Sequence, residues 1–154
     1  MLEPLYTAEE MRAAEERFPG PSDELMERAG QATARHALDY FASAQAFTVV
    51  CGAGNNGGDG RIAARVLAEA GRKVRIVEAK QEPEAELGKP EVVVDALFGT
   101  GFAGEPRPDA ASLIARMNDL GAPIIAIDVP SGVDASTGEV AFEPRDLGEC
   151  AVEE

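Results

Sequence analysis

Two aspartates and two glycine-rich stretches are the residues of this chain best suited to chemistry. Asp95 closes the apolar run VVVD and Asp128 closes IIAID, with Ser131 shortly after it in VPSG. A carboxylate at the end of a buried strand is partly desolvated and costly unless it is hydrogen-bonded, paired or beside a cation. Cys51–Gly60, CGAGNNGGDG, holds five glycines in ten residues. So dense a run loses backbone entropy on folding, and the usual reason is a sharp turn with close approach to a ligand. A plain turn needs only one or two glycines. The run lies between FTVV and RIAARVLAEA, a strand and a helix pattern. There, backbone N–H groups and the positive helix end face an anion, most often a phosphate. Asn55, Asn56 and Asp59 add polar side chains, and a second glycine stretch, FGTGFAGEPRP (98–108), follows Asp95.

Gly52-x-Gly54-x-x-Gly57 also fits a dinucleotide fingerprint, and Glu78 falls 21 residues after Gly57, where a ribose-binding acid sits in such folds. The paired asparagines, the glycines continuing to Gly60, and the lack of a catalytic His or Tyr–Lys set point away from a dehydrogenase. Glu78 then reads as a solvated strand end. His36, the only histidine, falls on a helical stripe and reads as a half-buried packing residue.

The elements that must position these groups follow from periodicity. Thr7-Ala-Glu-Glu10 is a capping box opening a helix to about Phe18, stopped by Pro19-Gly20-Pro21. Ser22 caps the next helix, whose stripe of Leu25, Ala29, Ala32 or Thr33, His36 and Tyr40 is expected to be buried. Strands are expected at Phe47–Cys51, Lys73–Glu78, Glu91–Leu97 and Ile124–Val129, with a further short one at Val140–Phe142. Helices are expected from about Asp59 to Ala70 and from Asp109, or Ser112, to about Leu120. The segment 79–90 is a polar connection too short for both a helix and a strand. The alternation predicts a three-layer α/β/α, Rossmann-like sandwich with a mostly parallel sheet. All strand ends then meet on one edge, bringing Asn55–Asp59, Asp95 with the second glycine stretch, and Asp128 with Ser131 together.

A chain of 154 residues with 45% hydrophobic content is expected to form a single domain over 1–154. The net charge of −14, from 28 acidic and 14 basic residues, speaks against nucleic-acid partners and requires any phosphate to be held by local devices. No apolar run reaches the length of a membrane span, and the N-terminus lacks a basic start and an apolar core, so no membrane partner and a cytoplasmic location are expected. Cys51 and Cys150 have no metal-ligand spacing; Cys51 reads as a small hydrophobe ending a strand.

CGAGNNGGDGRIAARVL, VVVDALFGTGFAGEPR and IIAIDVPSGVDASTG, in that order, resemble the signature segments of the NAD(P)H-hydrate epimerase family, the YjeF amino-terminal domain. YTAEEMRAAEE and LMERAG resemble it too, and the likeness spans about Leu5 to Gly138. It implies an isomerase that inverts C6 of hydrated NADH or NADPH (NADHX, NADPHX). It also implies a separate ADP- or ATP-dependent dehydratase acting on the product, and a homodimer. Asn55, Asn56, Gly57, Gly58 and Asp59 would bind the substrate with Gly99, Thr100, Gly101, Phe102, Ala103, Gly104 and Glu105. Asp128 would bind near the reactive ring and is the candidate acid/base. Asn56, Asp95 and Ser131 would hold a potassium ion, as suits neutral oxygens with one carboxylate. Against that family this chain is short between Glu78 and Glu91 and trimmed at its C-terminal end. A non-catalytic nucleotide-binding or scaffold module of the same fold is the alternative.

Overall fold

The computed structural model describes residues 6–141. Thr7 caps α1 (Ala8–Glu16) through the expected box: its hydroxyl accepts the Glu10 N–H at 3.3 Å, and the Glu10 carboxylate accepts the Thr7 N–H at 2.8 Å. Then follow α2 (Ser22–Tyr40), β1 (Ala46–Cys51), α3 (Asn55–Glu69), β2 (Lys73–Glu78), β3 (Val92–Ala96), α4 (Pro108–Asp119) and β4 (Ile124–Ala126). The four strands form one parallel sheet in the order β2-β1-β3-β4. The expected sandwich is therefore present. No helix or strand forms between β2 and β3.

Strand alternation sorts the core into two layers. Phe47, Val49 and Cys51 of β1 join Val92, Val94 and Ala96 of β3 on the face covered by α2 and α3, with Ala63, Ala64 and Leu67. Val50, Val77 and Val93 face the other way, onto Leu113, Ile114 and Met117 of α4. The connection between β2 and β3 closes that second face. Leu87 is buried in it, its carbonyl accepts the Thr48 hydroxyl at 2.7 Å, and the Arg116 guanidinium holds the Pro83 and Ala85 carbonyls.

Several sequence expectations are corrected. The buried line of α2 is Gly30, Ala34 and Ala37, not the stripe through His36. Close helix–helix packing selects small side chains, and a β-carbon on Gly30 would come within 2.5 Å of the Ile62 β-carbon. Thr33, His36 and Tyr40 line an open groove against β4 instead. There His36 is exposed and its ring lies 6.2 Å from that of Tyr40, which is 78% exposed. Pro21, not Ser22, is the N-cap of α2. Helix α4 starts at Pro108, whose fixed φ suits the first helical position. Strand β4 is shorter than expected because the backbone turns at Asp128, with a φ of 65°. The last expected strand is a single antiparallel bridge, Val133 to Val140; Phe142 and Cys150 lie outside the described residues.

Candidate active site

The sheet order reverses between β1 and β3, and in such folds ligands bind beyond the strand ends at that switch point. There the Gly52 N–H donates to the Ala96 carbonyl at 2.9 Å, locking the two loops together. Helix α3 begins four residues earlier than the sequence predicts, at Asn55, and runs through Gly57, Gly58 and Gly60. Those glycines serve packing. A β-carbon on Gly57 would strike the Gly52 carbonyl, one on Gly52 the Leu97 carbonyl, and one on Gly60 the side chain of Ala96. Gly58 lies under the Met26 thioether. Gly54, the N-cap, is the open one and brings no capping side chain. The first-turn N–H groups of α3 are thus left for solvent or a ligand.

Over this edge lies an open cleft of about 1710 Å³, larger than the about 300–1,000 Å³ of drug-sized pockets and roomy enough for a dinucleotide. Asn55, Asn56 and Asp59 line it, with Gly99, Thr100, Gly101, Phe102, Ala103 and Glu105 from the loop after β3, and Asp128. Phe98 and Phe102 stack at 4.8 Å and stiffen that loop. Gly104 turns it with a φ of 77°. The three loops expected at one edge do meet there.

Asp95 and Ser131 lie beneath the cleft. Asp95 is 4% exposed, and its carboxylate accepts the Leu97 N–H at 3.1 Å, the Ser131 hydroxyl at 2.6 Å and the Ser131 N–H at 2.8 Å. The Ser131 oxygen in turn accepts the Phe98 N–H at 2.9 Å. Burial pushes the Asp95 carboxyl above its ordinary range, and the hydrogen bonds from Ser131 and Leu97 oppose that without cancelling it. Asn56 is 7% exposed; its amide N–H donates to the Phe98 carbonyl at 2.8 Å, while its Oδ1 is buried with no partner. An orphaned acceptor of this kind costs about 1–3 kcal/mol. Oxygens without a strong charge donor, beside a carboxylate raised by burial, are a set that a weakly demanding cation fits. No group of three His, Cys, Asp or Glu side chains suited to a metal occurs among the described residues.

Asn56 and Asp128 flank Gly99. A β-carbon there would lie 2.8 Å from Asp128 Oδ2 and 3.3 Å from the Asn56 β-carbon. Asp128 is exposed to the cleft rather than partly desolvated as its sequence position predicts, because the positive φ swings it out of the strand line. A left-handed non-glycine residue is uncommon, and such strain gathers at functional positions. Asp59, on the second turn of α3, is half-buried, and its carboxyl is pushed up to about 6 by burial, then by the charges of Asp128 and of Glu15 on α1.

Glu78 is not a solvated strand end. Arg61 grips it with two hydrogen bonds, 2.8 Å from Nε and 2.6 Å from Nη2, and Nη2 also holds the Gly52 carbonyl at 3.0 Å. A ribose hydroxyl would have to displace this bridge. The sequence reading missed the far wall of the cleft, where α1 contributes Met11, Arg12 and Glu15, and missed that Arg12, Lys80 and Arg107 all line it. These cations come from three distant segments, so no local run of charge betrays them.

A parallel sheet with its site at the β1/β3 switch point defines a Rossmann-like α/β protein. The chain belongs to the family described as YjeF-related protein N-terminus, whose model matches residues 22–89 and 76–150. It is 42% identical over 148 residues to the bifunctional NAD(P)H-hydrate repair enzyme Nnr of Pyrobaculum aerophilum, covering 75% of this chain and 29% of that protein. It is 32% identical over 149 residues to the NAD(P)H-hydrate epimerase of Legionella pneumophila (strain Philadelphia 1), covering 77% of this chain and 55% of that one. The chain thus spans about half, or less, of the length of these curated relatives. The crystal structure of yeast ynu0, YNL200c, superposes with a TM-score of 0.72 at 23% identity, over 86% of this chain and 72% of that one; that likeness bears on the fold.

Proposed function

We propose that this chain is an NAD(P)H-hydrate epimerase acting at the C6 hydroxyl centre of hydrated NADH or NADPH. The observation that carries the reading is the juxtaposition across Gly99 of Asn56, whose oxygen is unpartnered, and the exposed Asp128 carboxylate, in the lining of a dinucleotide-sized cleft. Relatives that are named for this substrate class support it. Asp128 is the acid/base: its carboxylate holds a proton of the C6 hydroxyl while the free α3 amides and the Gly99–Glu105 loop hold the nucleotide. Asn56, Asp95 and Ser131 would hold a potassium ion, which when bound supplies positive charge beside the substrate phosphates. Arg12, Lys80 and Arg107 add local positive charge against a net charge of −14.

The product passes to an ADP- or ATP-dependent dehydratase; the word bifunctional in the relatives' names fits two such steps. The half-exposed outer side of β4, with Ile124 38% exposed, leaves room for a homodimer contact. No helix among the described residues is long and apolar enough to cross a membrane.

Conversion of the R epimer of NADPHX, coupled to an S-specific dehydratase, tests the reading. Turnover that rises with potassium and disappears in Asp128→Asn is expected. Saturable NADPH binding with no turnover would favour the second reading, a binding module, for which the three-residue β4 behind Asp128 speaks.

A further inference from the structure

We propose that Asp59 is a second catalytic carboxyl, working with Asp128 as a proton donor–acceptor pair on the substrate. The inference rests on the epimerase reading and extends it. Both carboxyls line the same cleft, Asp59 from α3 and Asp128 from the turn after β4. Among the described residues neither carboxylate takes part in a hydrogen bond or ion pair. The other unpaired carboxylates of the cleft, Glu9, Glu15, Glu16 and Glu105, are exposed, whereas Asp59 is half-buried, and Asp128 is set apart by its left-handed backbone. Asn56, more than nine-tenths buried and with its oxygen unpartnered, belongs to the lining of the same cleft. Unsatisfied groups converging on one space are reserved for what enters it.

The reaction asks for two such groups. C6 carries a hydroxyl and the ring nitrogen, so inversion proceeds by opening and reclosing that centre. One carboxylate takes the hydroxyl proton, the O–H electron pair becomes the carbonyl π bond, and the C6–N pair leaves on nitrogen. The other group, as a carboxylic acid, delivers its proton to that nitrogen. Rotation about C5–C6 turns the other face of the aldehyde to the nitrogen. Closure reverses each transfer, so no electrons or atoms are gained or lost. A pair with one member protonated meets this need, and half-burial with carboxylates nearby favours the protonated form of Asp59. The Asp59 carboxyl, pushed up to about 6 first by burial and then by the charges of Asp128 and Glu15, agrees with that role. The charged groups that share the cleft are Glu9, Arg12, Glu15 and Glu16 on α1, Lys80 after β2, Glu105 and Arg107 between β3 and α4, Asp109 on α4, and Asp134.

The test compares the full chain with Asp59→Asn and Asp59→Glu, reading kcat and KM for R-NADPHX across about pH 5–8 and NADPH binding by titration. Asp59→Asn is expected to lower kcat by about 100-fold or more, the range for a lost general acid or base, with NADPH affinity changed far less than kcat. Asp59→Glu should keep measurable turnover with its acidic pH limb displaced. A wild-type kcat in Asp59→Asn would sink the pair. So would an equal fall in NADPH affinity and kcat, which assigns Asp59 to binding alone. An inactive wild-type protein would remove the epimerase reading and this inference with it, whereas an active one indifferent to Asp59 removes only the inference.

Discussion

At the scale of single residues the site trades stability for chemistry. The folded Asp59 carboxyl titrates at about 6 rather than 3.8, so between those values the folded protein binds more protons than the unfolded chain. Stability is therefore lost as pH rises through that window. Asp59→Asn is expected to stabilise the protein at pH 7 by about 1 kcal/mol, after discount for solvent screening of a half-exposed group. The gain should vanish below about pH 4, and urea melts at the two pH values check it. Asp128→Asn keeps a residue type that tolerates the left-handed backbone, so it should melt within about 0.5 kcal/mol of wild type while epimerisation is lost. Cys51, fully buried, has its thiol pushed up to about 12 by burial and the Glu78 charge. It should resist iodoacetamide at pH 8 in the folded state and react once the chain is unfolded.

At the scale of elements, the strands and the α1 cap were legible because each is a local pattern: the Thr7–Glu10 box, the β-branched runs, the Gly and Pro breaks. The start of α3 was not, because glycine propensity alone argues against a helix through Gly57, Gly58 and Gly60. What decides it is tertiary: β1, β3 and α3 approach so closely that only hydrogen fits at Gly52, Gly57 and Gly60. The α2 stripe misled for the same reason, small residues winning the helix contact over larger ones. Among the proposed site residues, Asp95, Ser131 and Asn56 could be singled out from strand-end position, but the orphaned Asn56 oxygen needed coordinates. Gly52→Ala should be destabilising by more than about 2 kcal/mol, because backbone rather than a flexible side chain blocks the new methyl group. Leu113→Ala, in the α4 layer, should cost about 2–5 kcal/mol. Guanidinium melts of both variants check these values.

At the scale of the whole molecule, the charge of −14 repels a polyanionic dinucleotide from a distance, and the cleft lining itself carries more carboxylates than cations, so attraction at close range falls to Arg12, Lys80, Arg107 and any bound cation. At fixed potassium, raising ionic strength from about 20 to about 200 mM shortens the screening length and should speed NADPH association. Stopped-flow fluorescence measures it; a slower association would show that the cleft cations dominate even at long range. If Asn56, Asp95 and Ser131 hold potassium, melting in KCl should exceed that in tetramethylammonium chloride by about 2–4 °C for each kcal/mol of linkage. Asn56→Leu should erase that difference.

The clamp that Arg61 places on Glu78 has a further consequence, for tolerance. In dinucleotide folds a free acid at this strand end accepts the ribose 2′-hydroxyl and turns away a 2′-phosphate. Here that acid is already spoken for, and its charge is matched by a guanidinium. A cleft without such a gatekeeper has no means at that position of telling the two coenzyme pools apart. Under the proposed function, a protein of this design accepts hydrated molecules from both, and in repair such indifference widens the range of what can be recovered.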